Sequence, residues 1–115
     1  MALNACLIIK DNKILVIKDG NIWDLPSVEI EDHDKTEIFL KKHIKEFLGI
    51  NVDIVQIFNT YQILNNDKNV NVNVYEASLT NGKLTPKNVE ASFFSIDDLS
   101  KFETSATLKL VIGEL

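Results

Sequence analysis

Arginine is absent from this chain, in which all 12 basic side chains are lysines. Because 17 residues are acidic, the net charge at pH 7 is −5. The planar fork of arginine is the usual means of gripping a phosphate at two points and of reading guanine. An acidic chain that lacks arginine is therefore not expected to bind nucleic acid by neutralising its backbone.

Cysteine and long apolar runs are equally scarce. Cys6 is the only cysteine, so no disulfide can form within the chain, and a reducing, cytoplasmic setting is predicted. Cys6 lies within the apolar run of residues 5–9, which favours a packing role over a nucleophilic one. The run ends at Lys10 and is too short for a secretion signal or a membrane span, so no membrane contact is expected.

The length of 115 residues and the hydrophobic content of 45% fit a single domain, residues 1–115, with one core. Asp11-Asn12 predicts a tight hairpin between strands at residues 3–9 and 13–18. Asn81-Gly82 predicts a second hairpin turn. The remaining strands are predicted at residues 22–25, 52–63, 70–74, 83–85 and 91–96, with loops at residues 27–34 and 65–69.

The most regular stretch predicts a helix over residues 35–48. Asp34 is a good N-cap, and Glu37 occupies the third helical position, as in a capping box. The buried face is predicted from the apolar residues at helical spacing: Leu40, Ile44, Phe47 and Leu48. Gly49 is predicted to end the helix in a left-handed cap. With a final helix at residues 105–115, the element order predicts an α+β domain whose helices pack on a mixed sheet.

The segment Trp23-Asp24-Leu25-Pro26, an acidic loop and a helix closing on Leu48-Gly49-Ile50 have the layout of a pyrophosphate-cleaving site. With this layout the chain resembles the Nudix (MutT-like) family along nearly its whole length. The family signature is Gly-x5-Glu-x7-Arg-Glu-U-x-Glu-Glu-x-Gly-U, where U is a bulky aliphatic residue, and it aligns from Val28 to Ile50 without a gap. The resemblance implies an α/β/α sandwich, with a mixed sheet between a box helix and a C-terminal helix. It also implies hydrolysis of a nucleoside diphosphate linked to a moiety X.

The resemblance assigns roles to individual residues of this box. The last glutamate of the loop falls on Asp34 and the helix arginine on Lys42, which implies an ion pair that holds the loop to the helix. Of the three helix glutamates that hold Mg²⁺ or Mn²⁺ in the family, Glu46 is kept. The other two are replaced by His43 and Phe47, neither of which offers an oxygen ligand, so the metal site is expected to be eroded.

A mixed nitrogen–oxygen metal site is an alternative. His43 and Glu46 share a helix face, and Asp34 or Glu31 from the loop would complete a set that suits Mn²⁺ or Zn²⁺ better than Mg²⁺. In some Nudix enzymes another acid, from a later loop, completes catalysis, and Glu90 is the nearest candidate by position. The opposing interpretation is a packing histidine, a solvated glutamate, a merely polar loop and no cofactor at all.

Three functions remain open on these residues. The favoured one is a Nudix-fold protein that is weak or inactive as a hydrolase and binds a nucleotide-like ligand. Trp23, Phe58 and Tyr61 are the candidates to stack on that ligand, with core packing as the alternative for each. The second is an active Mg²⁺-, Mn²⁺- or Zn²⁺-dependent hydrolase that uses Glu46, His43 and a loop acid. The third is a non-enzymatic module that forms a homodimer through a strand edge or the final helix.

Overall fold

A computed structural model describes residues 2–115, with the backbone alone for Asn65. The elements are β1 Ala2–Lys10, β2 Lys13–Asp19, β3 Ile22–Asp24, β4 Ser27–Glu29, a 3₁₀ turn His33–Lys35, α1 Thr36–Leu48, β5 Ile50–Asn65, β6 Lys68–Gly82, β7 Glu90–Ser95, α2 Ile96–Leu99 and α3 Ala106–Glu114. The predicted α+β class with a mixed sheet is confirmed. Within the described residues, no helix combines the length and the apolar character that crossing a membrane requires.

Strand β1 holds the sheet together, because it pairs with three other strands. The strand order is β3-β2-β1-β6-β5, with β4 beside β1 and β7 beside β2. β1 runs parallel to β6 from Ala2, opposite Asn71, to Ile8, opposite Ala77. It runs antiparallel to β4 over residues 3–5. The acidic loop that follows β4 is therefore anchored to the N-terminal half of β1.

Successive side chains of β1 pack into two separate apolar layers, as the alternation of a strand requires. Ala5 and Leu7 lie in a layer that includes Leu108 and Val111 of α3. Cys6 and Ile8 lie in the other layer, and their partners from α1 are Leu40, Ile44 and Leu48. The sheet is thus covered by α1 on one face and by the C-terminal helices on the other, which is the sandwich that the resemblance implied.

Two tight turns close the long hairpins. Asp11 and Asn12 have φ angles of 53° and 62°, as a two-residue hairpin of this kind requires, so the predicted first hairpin is confirmed. Asn66 and Asp67 adopt the same left-handed conformation, and pairing resumes at once between Asn65 and Lys68. The loop predicted at residues 65–69 is therefore only a two-residue turn, because Asn and Asp tolerate the left-handed region.

The hairpin turn predicted at Asn81-Gly82 is wrong, since both residues belong to β6 and residues 83–85 form no strand. Gly82 lies opposite Ile50 and has a φ angle of 98°. A Cβ atom at this position would lie 2.8 Å from the carbonyl oxygen of Gly49. The glycine therefore permits a close approach of two backbones rather than a turn.

The end of α1 follows the prediction, whereas its beginning does not. Gly49 adopts a φ angle of 76°, and its N–H donates to the carbonyl oxygen of Lys45, as predicted for the C-cap. The predicted N-cap, Asp34, lies inside the 3₁₀ turn, where its backbone N–H donates to Asp32 Oδ1 at 3.2 Å. Lys35 precedes the first helical residue and makes no side-chain cap, because the extra turn has shifted the start of the helix.

Phe47 is not part of the buried face of α1. The buried residues are Thr36, Leu40, Ile44 and Leu48, which repeat at every fourth position, whereas Phe47 is 46% exposed. The ring of Phe47 instead packs against that of His43, with 4.6 Å between the centroids. The core prediction for Phe47 is therefore wrong, because a stripe with a strict four-residue repeat leaves position 47 at its edge.

The thiol of Cys6 is fully buried, and burial raises its pKa to about 12, so the predicted packing role is confirmed. Because the thiolate is the reactive form, we expect a thiol reagent at pH 8 to react at least about 100-fold more slowly with the folded protein than with the chain in denaturant. The absorbance of a released thiolate reporter measures both rates. Equal rates would contradict the burial of this side chain.

Candidate functional site

An open cleft of about 460 Å³ lies between the acidic loop and α1, and we call it the acidic cleft. Its charged and titratable lining residues are Glu29, Glu31, Asp32, Lys42, His43 and Glu46. Four carboxylates thus face a single ammonium group. Such a lining attracts cations and disfavours a highly charged anion.

The face of α1 toward this cleft presents three polar residues. Lys42 Nζ lies 3.8 Å from Glu46 Oε1, an exposed pair one helical turn apart that adds little stability. His43 is half-buried, and burial lowers its pKa from the usual 6.5, opposed by the nearby charge of Glu46. A lowered pKa leaves the imidazole neutral at pH 7. The helix therefore offers two possible metal ligands to the cleft, the carboxylate of Glu46 and a neutral imidazole nitrogen of His43.

The donors in the cleft do not fit a resident Mg²⁺ ion. Of the predicted metal-binding set, Glu31, His43 and Glu46 line the cleft, whereas Asp34 faces a separate depression beside Thr36. Throughout residues 2–115, no three His, Cys, Asp or Glu side chains are grouped closely enough to hold a metal ion. Mg²⁺ demands a near-octahedral set of oxygen ligands at about 2.0–2.1 Å. The same spread of donors also falls short of a mixed site for Mn²⁺ or Zn²⁺.

Asp34 and Glu90, two further predicted site residues, do not line the acidic cleft. The predicted pair of Asp34 with Lys42 is absent from the ion pairs of the described residues, in which Lys42 contacts Glu46 instead. Glu90 is the first residue of β7, 3.8 Å from Lys18 Nζ, and does not line the acidic cleft. A catalytic role of Glu90 remains a prediction.

The predicted stacking residues lie in the apolar layer on the α3 side. Trp23 is 8% exposed and meets Phe94 edge to face, with 5.1 Å between the ring centroids. The Tyr61 hydroxyl donates to Glu114 at 2.9 Å, and burial, followed by this contact, raises the pKa of Tyr61 to about 12. Phe58 packs against the same layer. None of the three predicted residues lines the acidic cleft, so ligand stacking remains a prediction for them.

A second cavity, of about 340 Å³, lies on the α3 side, and we call it the apolar cavity. Most of its walls are aliphatic side chains: Leu3, Ile22, Ile63, Leu64, Val70 and Val72. Its polar lining residues are Asp19, Asp24, Ser105 and Thr107. This cavity was not predicted from the sequence. Asp24 was the available signal, because it is an acid between two residues, Trp23 and Leu25, that are both buried.

A third cavity, of about 540 Å³, adjoins the acidic cleft, with which it shares Glu29 and Glu31. Its lining also includes Ala2 and Asn71, which alternate along their strands with Leu3 and Val72 of the apolar cavity and therefore lie on the opposite face of the sheet. The apolar cavity shares no lining residue with either of the other two.

No protein-family model matches this sequence, and no curated protein matches it either. Solved structures do resemble it. A MutT Nudix hydrolase from Burkholderia pseudomallei has a TM-score of 0.83 at 18% identity, covering 99% of this chain and 96% of its own. An ADP-ribose pyrophosphatase from Streptococcus suis has a TM-score of 0.75 at 21% identity, and the match covers 98% of this chain and 90% of that protein. A UDP-X diphosphatase has a TM-score of 0.82 at 17% identity. That match covers 99% of this chain but only 61% of the diphosphatase. The chain has the fold of the Nudix hydrolases.

Proposed function

We propose that this chain binds a nucleotide-like ligand and hydrolyses it weakly or not at all. The observation that carries the proposal is the face of α1 toward the acidic cleft, where Glu46 is the single carboxylate from the helix. His43, packed on Phe47, stands where the family signature has a further glutamate. Metal-assisted cleavage of a pyrophosphate bond requires oxygen ligands that hold the cation against the phosphates. A neutral imidazole beside a phenylalanine ring supplies none.

The apolar cavity supports a ligand that carries a ring. Aliphatic walls with a few polar groups are typical of a site for the ring of a small molecule, so the base is assigned to the apolar cavity. Two structural neighbours are named as an ADP-ribose pyrophosphatase and a UDP-X diphosphatase, that is, for nucleoside diphosphates joined to another group.

The charge of the acidic cleft narrows the ligand class. At about 4 Å, two like unit charges repel by roughly 1 kcal/mol in water and by roughly 4 kcal/mol near a protein surface. Each additional phosphate charge is therefore costly beside Glu29, Glu31, Asp32 and Glu46. A nucleoside diphosphate ester, which carries two charges, is favoured over a nucleoside triphosphate.

Thermal unfolding tests the proposal with ADP-ribose, UDP-glucose and ATP as probes, each with and without Mg²⁺, Mn²⁺ or Zn²⁺. We expect at least one diphosphate ester to raise the melting temperature without metal, because a ligand at 100 times its Kd stabilises the folded state by about 2.7 kcal/mol. The Glu46→Gln variant is expected to keep this shift. No shift with any ester would contradict ligand binding, and a defined oligomer in the same sample would then favour a dimerisation module.

The same samples distinguish an active enzyme from a binding protein. A shift with Mn²⁺ or Zn²⁺ alone that is lost in His43→Ala or Glu46→Gln would indicate a mixed metal site. Release of a nucleoside monophosphate that stops on addition of chelator would then support the active hydrolase and contradict the proposal.

A further inference from the structure

We infer that Asp24 determines which base the apolar cavity accepts, by accepting a hydrogen bond from an exocyclic amino group of the ring. Amino-bearing rings of the cytosine or adenine type are then bound in preference to rings that carry a carbonyl at the same position. This inference deepens the proposed function and rests on it.

The position of the Asp24 carboxyl group is fixed by its surroundings. Its Oδ1 atom accepts from the backbone N–H of Leu25 at 2.8 Å and from the Ser105 hydroxyl at 2.5 Å. Ser105 is itself held as the N-cap of α3, since its Oγ accepts from the N–H of Leu108 at 3.1 Å. Both donors converge on a single oxygen. Within residues 2–115, Oδ2 makes no hydrogen bond and is left to accept one from a ligand.

The chemistry of the cavity favours a donor on the ligand. Asp19 and Asp24 are the ionisable residues of its lining, and no lysine faces them there. The Ser105 hydroxyl already donates to Asp24 and accepts from the backbone, so it has no proton left for a ligand carbonyl. An ionised carboxylate only accepts hydrogen bonds, and it pairs with the amino group of cytosine in nucleic-acid recognition. A carbonyl oxygen at the same place would meet another acceptor.

The ionisation state of Asp24 sets the condition of the test. Burial raises the pKa of Asp24, and the charge of Asp19 acts in the same direction, whereas the bonds from Ser105 and Leu25 oppose the shift. A raised pKa means that the carboxylate form is lost at a higher pH than for an ordinary aspartate. The preference is therefore expected to grow as the pH rises, and the measurement is made at pH 8.

The experiment is an NMR titration of the amide signals with four nucleosides. Because nucleosides carry no phosphate charge, the carboxylates of the acidic cleft do not oppose their binding. Cytidine and uridine differ by an amino group against a carbonyl at one ring position, and so do adenosine and inosine. We expect the amino member of each pair to bind about 10-fold more tightly, the equivalent of one hydrogen bond to a charged group. The shifts are expected at Val72 and Thr107, which line the apolar cavity.

Asp24→Asn is expected to reduce the preference to about 3-fold or less, because a carboxamide both donates and accepts. Asp53→Asn is the matched control, since it removes the same charge from an exposed residue of β5 that pairs with Lys41 at 3.6 Å. This control is expected to keep the full preference. The wild-type preference stands as a test even if Asp24→Asn fails to fold.

Three results would overturn the inference. The two members of each nucleoside pair could bind with equal affinity, or the full preference could survive in Asp24→Asn. The NMR shifts could also occur at His43 and Glu46 instead of in the apolar cavity. Absence of nucleoside binding would also overturn it, while binding of ADP-ribose or UDP-glucose by the same sample would leave the proposed function intact. If neither nucleosides nor diphosphate esters bind, the proposed function fails as well.

Discussion

Truncation of Ile44 to alanine is expected to lower the free energy of unfolding by about 3 kcal/mol, since deletion of a buried isoleucine removes apolar contacts and leaves a cavity. Ile44 is fully buried and belongs to the same apolar layer as Leu40 and Leu48 of α1 and Cys6 and Ile8 of β1. For a domain of this size the melting temperature should fall by roughly 10–20 °C. Urea unfolding of both proteins at 25 °C measures the difference.

Phe47→Ala is the matched control, because it truncates another apolar residue on the same helix. Phe47 is 46% exposed and packs on His43 at the edge of the helix face, so its truncation removes less buried apolar surface than that of Ile44. We expect a cost of about 1 kcal/mol or less. If Phe47→Ala costs as much as Ile44→Ala, Phe47 belongs to the core, and the structural account of the helix face is wrong.

Replacement of His43 and Phe47 by glutamate is expected to raise Mg²⁺-dependent hydrolysis of a diphosphate ester by at least about 100-fold over the wild type. Residues 43, 46 and 47 share one helix face, so the double variant presents three carboxylates where the wild type presents Glu46 alone. The family signature has glutamate at these three positions. A cation that polarises a phosphoryl oxygen contributes several kcal/mol, and each 1.36 kcal/mol is tenfold in rate. Release of nucleoside monophosphate from ADP-ribose measures the gain.

The double variant His43→Gln, Phe47→Gln is the control, since it removes the same aromatic pair without adding charge. Its activity is expected to stay at the wild-type level with and without Mg²⁺. Equal gains in both variants would show that loss of the aromatic pair, rather than the added carboxylates, produces the gain. The absence of any gain in the glutamate variant would mean that something other than these two ligands limits cleavage.

Much of the fold was predictable because local chemistry decided it. Gly49 ends α1 since the left-handed conformation there suits glycine, and Asp11-Asn12 closes a hairpin whose twist requires two such residues. The layout from Trp23 to Ile50 carried the fold itself, which the solved structures confirm.

The predictions that failed depended on tertiary contacts. Asn81-Gly82 has the composition of a turn, but the backbone of Gly49 lies so close that glycine is needed for clearance. Helical spacing alone places Phe47 at the edge of the buried face and does not decide whether it is buried. The packing of α1 on the sheet leaves this side chain partly exposed. Asp34 has the chemistry of an N-cap, but a 3₁₀ turn held by Asp32 moved the start of the helix.

The candidate site was predictable in part. Spacing alone predicted that His43 and Glu46 share one face of α1, and Glu31 was one of the two loop acids predicted to join them. All three residues line the acidic cleft, whereas their role in binding a metal stays a prediction. The apolar cavity was not predictable, because it joins β1, the β5–β6 hairpin and the start of α3, which are distant in sequence. Asp24 and Ser105 are separated by 81 residues, and only the folded chain brings their side chains into contact.

The most direct test of ligand binding without efficient cleavage is ³¹P NMR of the wild-type protein with an equimolar amount of ADP-ribose in Mg²⁺, before and after addition of chelator. We predict that the pyrophosphate signals shift on binding and persist, and that the chelator changes neither result. Conversion to two phosphate monoesters at the rate of the His43→Glu, Phe47→Glu variant, abolished by chelator, would show that this chain is a working metal-dependent hydrolase.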